Sequence, residues 1–130
     1  MRKTILIAGI TIMAFVLSAC GATSTPVEAP PLNSLTILTD TDPSPASVGE
    51  VEVILTIKDA QGNPVTGALV MVYADHTDMS GMNMSGQATE QGNGTYAILA
   101  NFSMSGNWML TIDVKTASQL ETRKIPLVIN

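Results

Sequence analysis

Three methionines and the only histidine of the chain lie within one short polar segment, residues 75–86. His76, Met79, Met82 and Met84 are surrounded there by Ser, Thr, Asp, Asn and Gly, which favour loops. An apolar side chain gains little from polar neighbours, so a chemical role has to be considered. Thioether sulfur is neutral, soft and polarizable, and with imidazole it prefers Cu(I) to Mg²⁺ or Ca²⁺. The pattern therefore predicts a copper site that holds Cu(I).

A fifth donor, Met104, lies in a later turn-rich segment. If consecutive strands run antiparallel with short connections, this segment reaches the same end of the domain as His76 and Met79. Met82 and Met84 are two residues apart, so in an extended segment both sulfur atoms point to one side. The predicted metal ligands are therefore His76, Met79, Met82, Met84 and Met104. The alternative is that the methionines fill irregular gaps at the open end of a small core, a role that suits this side chain.

The segments that must position these donors have the pattern of β-strands. Val51, Val53, Leu55 and Ile57 alternate with Glu52, Thr56 and Lys58, and the segment that begins at Trp108 has a similar alternation. Turn residues separate the apolar runs at fairly regular spacing, and no run has a helical period. About seven short strands in this length predict an all-β, immunoglobulin-like β-sandwich over residues 35–130.

The first nineteen residues have the pattern of a secretory signal peptide. Arg2 and Lys3 precede an apolar run over residues 5–17, which is too short to cross a bilayer comfortably, and small residues then lead to Cys20. The sequence Leu-Ser-Ala-Cys at 17–20 resembles the bacterial lipobox, in which cleavage precedes the cysteine and its sulfur receives a lipid. We therefore expect residues 1–19 to be removed and Cys20 to be lipidated.

Residues 20–34 are rich in Ala, Ser, Thr and Pro, which predicts a flexible linker between the lipidated cysteine and the domain. The expected partner of this end of the chain is the membrane, through the lipid anchor on Cys20. The expected location is the extracytoplasmic face of the cell membrane. Two acyl chains on one cysteine provide stable anchoring.

Composition narrows the classes of function that remain. After removal of the signal peptide, four basic residues face eleven acidic ones, so we expect no binding to nucleic acid. Cys20 is the only cysteine, which leaves the domain without a disulfide or a thiolate ligand. One histidine and no recognisable catalytic constellation indicate that the protein is not an enzyme.

Several of these segments resemble the YtkA-like domain. The resemblance rests on residues 59–68 (Asp-Ala-Gln-Gly-Asn-Pro-Val-Thr-Gly-Ala), the Met-x-x-Met-x-Met segment at 79–84, Gly-Thr-Tyr at 94–96, and the segment 102–108. It covers nearly all of the domain and implies an extracytoplasmic immunoglobulin-like module related to FixH-type proteins and to domains of metal-efflux adaptors. These associations imply copper handling near respiratory oxidases or efflux systems.

Two functions follow as expectations. The first is a membrane-anchored copper chaperone or buffer that accepts Cu(I) and passes it to a copper-acceptor or other envelope protein. The second is an immunoglobulin-like interaction or spacer domain of a cell-envelope complex that binds no metal. The polar surroundings of Met79, Met82 and Met84 favour the first function.

Overall fold

The computed structural model describes residues 34–130. The predicted signal peptide (residues 1–19), Cys20 and all of the linker except residue 34 lie outside the described residues. The strands are β1 (Thr36–Asp42), β2 (Gly49–Lys58), β3 (Leu69–His76), β4 (Asn83–Gly92), β5 (Thr95–Phe102), β6 (Gly106–Lys115) and β7 (Leu120–Ile129). Within residues 34–130, no helix is long and apolar enough to cross a membrane.

β2 and β6 form because buried apolar residues recur at every second position along the chain. Successive side chains of a strand point to opposite faces, so this period places the apolar residues on one side. In β2 the inward-facing residues are fully buried, and they are Val51, Val53, Leu55 and Ile57. In β6 the inward-facing residues are nearly or fully buried, and they are Trp108, Leu110, Ile112 and Val114.

All pairings between neighbouring strands are antiparallel, in the order β1-β2-β5-β4-β3-β6-β7. The strand β4 belongs to two sheets: its first part pairs with β3, and its last residues, from Thr89, pair with β5. We call β1, β2, β5 and the end of β4 sheet A, and the start of β4 with β3, β6 and β7 sheet B. The prediction of an immunoglobulin-like β-sandwich of about seven strands is confirmed.

The two ends of the sandwich differ. The Met pole comprises the loops 43–48, 77–82 and 103–105, which meet because Gly49 pairs with Phe102 and His76 pairs with Trp108. The opposite pole comprises the connections 59–68, 93–94 and 116–119. The described chain enters at the opposite pole, where the backbone N–H of Leu35 donates to Glu121 Oε2 at 2.6 Å and Arg123 donates to the Leu35 carbonyl.

Tyr96 fixes the connection between β2 and β3 at the opposite pole. Its ring is fully buried, its hydroxyl donates to the Val65 carbonyl at 3.0 Å, and the backbone N–H of Ala68 donates to that hydroxyl at 3.1 Å. Burial raises the pKa of the Tyr96 hydroxyl above its ordinary value. In the same connection, the side-chain amide of Asn63 donates to Asp59 and holds the pKa of that carboxyl below its usual range.

Candidate metal site

The loop 77–82 carries Met79 and Met82 and is fastened at both of its ends. The backbone N–H of His76 donates to the Met82 carbonyl at 3.0 Å, which closes the loop. The N–H and the hydroxyl of Thr77 both donate to the Asn107 carbonyl, at 2.9 and 3.0 Å. These bonds tie the loop to the start of β6 and bring it beside residues 103–105.

His76 is buried at the end of β3, with 8% of its surface exposed. Its Nδ1 accepts the backbone N–H of Asp78 at 3.2 Å. Because Nδ1 accepts this bond, it carries the lone pair of the ring and the proton is on Nε2. Nε2 donates to the Ser105 carbonyl at 3.4 Å. A metal ion could reach the Nδ1 lone pair only after the bond from Asp78 opened.

Gly106 leaves room for the histidine ring. A Cβ at this position would lie 2.7 Å from His76 Nε2, which is closer than real contacts allow, and the residue has a φ of 133°. Glycine is thus required here both by the backbone conformation and by the neighbouring ring. On its other side the His76 ring contacts the indole of Trp108 edge to face, with ring centroids 5.1 Å apart.

Met82 and Met84 lie on the same side of the chain where β4 begins. Met84, Gly86 and Ala88 form the more buried side of β4, and Met82 continues this side into the loop. Both methionines line a small open pocket of about 200 Å³, and the hydroxyl of Ser103 donates to the Met82 sulfur at 3.9 Å. The pocket is lined by Gly81, Met82, Asn83, Met84, Asn101, Ser103 and Trp108.

The other three predicted ligands, His76, Met79 and Met104, lie outside the lining of this pocket. Met79 is at the outside of the loop, with 47% of its surface exposed. Met104 is partly buried against the core, and its carbonyl accepts the indole N–H of Trp108 at 3.3 Å. The Met pole therefore brings all five predicted residues to one end of the sandwich, and it places Met82 and Met84 in a common pocket.

Sequence reasoning missed three of the residues that line the pocket. Asn101 and Ser103 flank Phe102 at the end of β5, and nothing in their types distinguishes them from ordinary loop residues. Trp108 begins an alternating segment and lies in the core, where it also contacts Phe102 with ring centroids 5.0 Å apart. Its position directly after the turn that follows Met104 is the one signal that could have placed it near the donors.

The electrostatics of the pocket are neutral. Its lining contains thioether, amide, hydroxyl and indole groups but no carboxylate. Within residues 34–130, no three His, Cys, Asp or Glu side chains are grouped closely enough to hold one metal ion. The two methionines supply soft donors, and without a carboxylate the lining suits a soft monovalent cation better than a hard divalent one.

Comparisons with known proteins identify the family of the chain. A search of curated proteins finds no match. Among solved structures, the soluble domain of PmoD from Methylocystis sp. ATCC 49242 (Rockwell) is similar, with a TM-score of 0.50 and 11% identity over 75% of this chain and 92% of that chain. At this identity the likeness concerns the fold alone. The family model for YtkA-like proteins matches residues 33–113. The chain therefore belongs to the YtkA-like family.

Proposed function

We propose that this protein is an extracytoplasmic copper chaperone or buffer that binds Cu(I) at the Met pole. The observation that carries the proposal is the pocket shared by Met82 and Met84. Two methionines that line an open pocket with neutral walls offer soft donors to a cation that enters it. They offer a hard cation such as Mg²⁺ little in place of its hydration shell.

Trp108 adds a second reason why the pocket suits a monovalent cation. An indole is the best aromatic partner for a cation, and such a contact contributes about 0.5–1 kcal/mol at an exposed site. Trp108 is only 3% exposed and lines the pocket beside the two thioethers. The indole would therefore stabilise Cu(I) without adding a charged ligand.

The remaining predicted ligands have graded roles in this proposal. Met79 is half-exposed and can meet an ion, or an acceptor protein, before the pocket is reached. Met104 lies in the adjoining loop and can complete the sulfur set. His76 joins the ligands when its bond from the Asp78 N–H opens. Few soft donors at a solvent-exposed pole favour exchange of the ion over storage.

The location of the protein is part of the same proposal. The signal peptide and the lipobox ending at Cys20 support a lipoprotein held at the extracytoplasmic face of the cell membrane. Thioethers suit this compartment because they retain donor capacity where free thiols form disulfides.

The test is a titration of the purified protein with Cu(I) under anaerobic reducing conditions, using protein produced from the full chain and held in detergent. A ligand that binds only the folded state at one hundred times its Kd stabilises that state by about 2.7 kcal/mol. We expect a rise in Tm and shifts of the Met82 and Met84 methyl resonances.

The matched control variants distinguish the site from general sulfur chemistry. A Met82→Leu/Met84→Leu variant should fold and lose the Tm rise, because leucine conserves volume but has no sulfur. Met109→Leu should keep the rise, since Met109 pairs with Asp75 on the outer face of sheet B. An unchanged Tm in the wild-type protein, or a rise that persists in the double variant, would refute the proposal.

A second function, a metal-free interaction or spacer domain, has one observation in its favour. Met84 and Met104 both pack against the core, as expected of residues that fill gaps at the end of a sandwich. In that case, replacing Met79, Met82 and Met84 with leucine would leave copper tolerance of the cell unchanged.

A further inference from the structure

The outer face of sheet A carries three aliphatic side chains in a diagonal line. Leu38 on β1 lies opposite Thr56 on β2. Ile54 is two residues from Thr56 and therefore faces the same side of the sheet. Ala97 on β5 lies opposite Ile54, and Leu99 is two residues from Ala97 on the same face. Diagonal neighbours of this kind are about 7–8 Å apart, within reach of long side chains. Leu38 is 57% exposed and Leu99 is 60% exposed, so the line forms an apolar ridge on the surface.

Carboxylates border this ridge on the side of the Met pole. Four outward-facing acidic residues belong to the same face, and they are Asp40, Asp42, Glu50 and Glu52. Within residues 34–130, none of the four forms an ion pair; the ion pair that the structure contains joins Arg123 and Glu121. The basic residue of this face, Lys58, lies at the end of β2 that is nearest the opposite pole.

We propose that the outer face of sheet A, with the ridge Leu38, Ile54 and Leu99 at its centre, docks a basic amphipathic segment of a partner protein. Exposed apolar side chains with a charged border are typical of interaction surfaces. The partner supplies aliphatic side chains against the ridge and Lys or Arg against the four carboxylates, which would speed association.

The negative charge of the face argues against two other occupants, a second copy of the chain and an anionic lipid surface. A second copy that docked through the same face would place eight carboxylates and only two lysines in one interface, so like charges would repel. An anionic lipid surface would be repelled for the same reason. A basic partner is the occupant that satisfies both the ridge and its border.

The docking face also adjoins the candidate metal site. Asn101, two residues beyond Leu99 on β5, faces the same side and lines the pocket of Met82 and Met84. A partner that covers the ridge would therefore lie next to the pocket. The docking proposal itself does not depend on copper and can be tested without it.

The test uses metal-free protein produced from the full chain and three synthetic helical peptides. One peptide combines Leu with Lys on opposite faces, the second replaces Lys by Glu, and the third replaces Leu by Ser. We expect the Leu/Lys peptide alone to shift the methyl resonances of Leu38 and Leu99. The methyl groups of Leu120, which is 66% exposed on sheet B, should not move.

Variants then separate the ridge from simple charge attraction. Leu38→Ser/Leu99→Ser keeps every charge and should weaken binding of the Leu/Lys peptide at least about tenfold, whereas Leu120→Ser should leave it unchanged. Equal binding by the Leu38→Ser/Leu99→Ser protein would overturn the proposal. The proposal would also be overturned if the protein self-associated, or bound phosphatidylglycerol vesicles, and these same two substitutions abolished that binding. Either result would identify a different occupant of the face.

Discussion

His76 contacts Trp108 edge to face, with ring centroids 5.1 Å apart and ring planes inclined by 75°. The two residues are paired across β3 and β6, so the contact joins the strand before one Met-bearing loop to the strand after the other. The ring nitrogens of His76 extend this link to Asp78 and Ser105. His76 thereby holds the two loops of the Met pole in a fixed relationship.

Replacing His76 by leucine should destabilise the protein by about 1–3 kcal/mol. The substitution keeps an apolar side chain against Trp108 but leaves the Asp78 N–H and the Ser105 carbonyl without their partners. Urea unfolding followed by circular dichroism measures the change. Thr77→Val, which removes only an exposed hydroxyl bond, should cost less. Equal losses would contradict the structural role of the histidine.

Gly106→Ala should destabilise the protein more than Gly81→Ala does. Both glycines have positive φ, so each substitution costs about 1–2 kcal/mol of backbone strain. Only at Gly106 would the new Cβ also collide with His76 Nε2. Free energies of unfolding from a double-mutant cycle with His76→Ala should show favourable coupling, because removing the ring relieves the collision. Strictly additive losses would count against the close approach of ring and glycine.

Binding of Cu(I), or of Ag(I) as a redox-stable substitute, should decrease the fluorescence of Trp108. Trp108 is the only tryptophan of the chain and lines the pocket, so the signal reports on this site alone. The decrease should saturate, and Met82→Leu/Met84→Leu should abolish it. Met71→Leu, on the outer side of β3, serves as the control and should behave like the wild type. A decrease that survives the double substitution would place the ion elsewhere.

Tyr96→Phe should lower stability at neutral pH and flatten its loss at high pH. The hydroxyl bonds to Val65 and Ala68 are removed, at a cost of about 1–3 kcal/mol. The folded state raises the pKa of Tyr96, so near pH 10 and above the unfolded chain releases its proton first. The wild-type protein therefore loses stability as pH rises through this range, and the phenylalanine variant loses less. Urea midpoints between pH 8 and pH 11 test this difference, with Tyr73→Phe as the control.

The fold was predictable where burial follows the alternation of residue types. β2 and β6 each bury one continuous face, so the alternation in their sequences indicates both that they are strands and which side chains face the core. The start of β4 was harder to predict, because apart from Met84 its first residues are polar or small; they form a strand because β3 offers a pairing edge. The predicted polar loop over 75–86 is accordingly shorter in the structure, with Met84 in the strand.

The positions of the donors were predictable only as far as the strand connections determine them. Antiparallel order brings His76 and Met104 to the same pole, which chain parity can indicate. The burial of His76 depends on Trp108 and Gly106, which are distant in sequence, and no local pattern reports such a contact. For the same reason, sequence alone did not show that Met82 and Met84 share a pocket with Asn101 and Ser103.

The chain enters the sandwich at the pole opposite its methionines, and strands of ten residues such as β2 and β6 separate the two ends by about 33 Å. With the proposed lipid on Cys20, the linker would join the domain at the end opposite the proposed copper site. The Met pole would therefore stay accessible to an acceptor protein while the domain is tethered to the membrane.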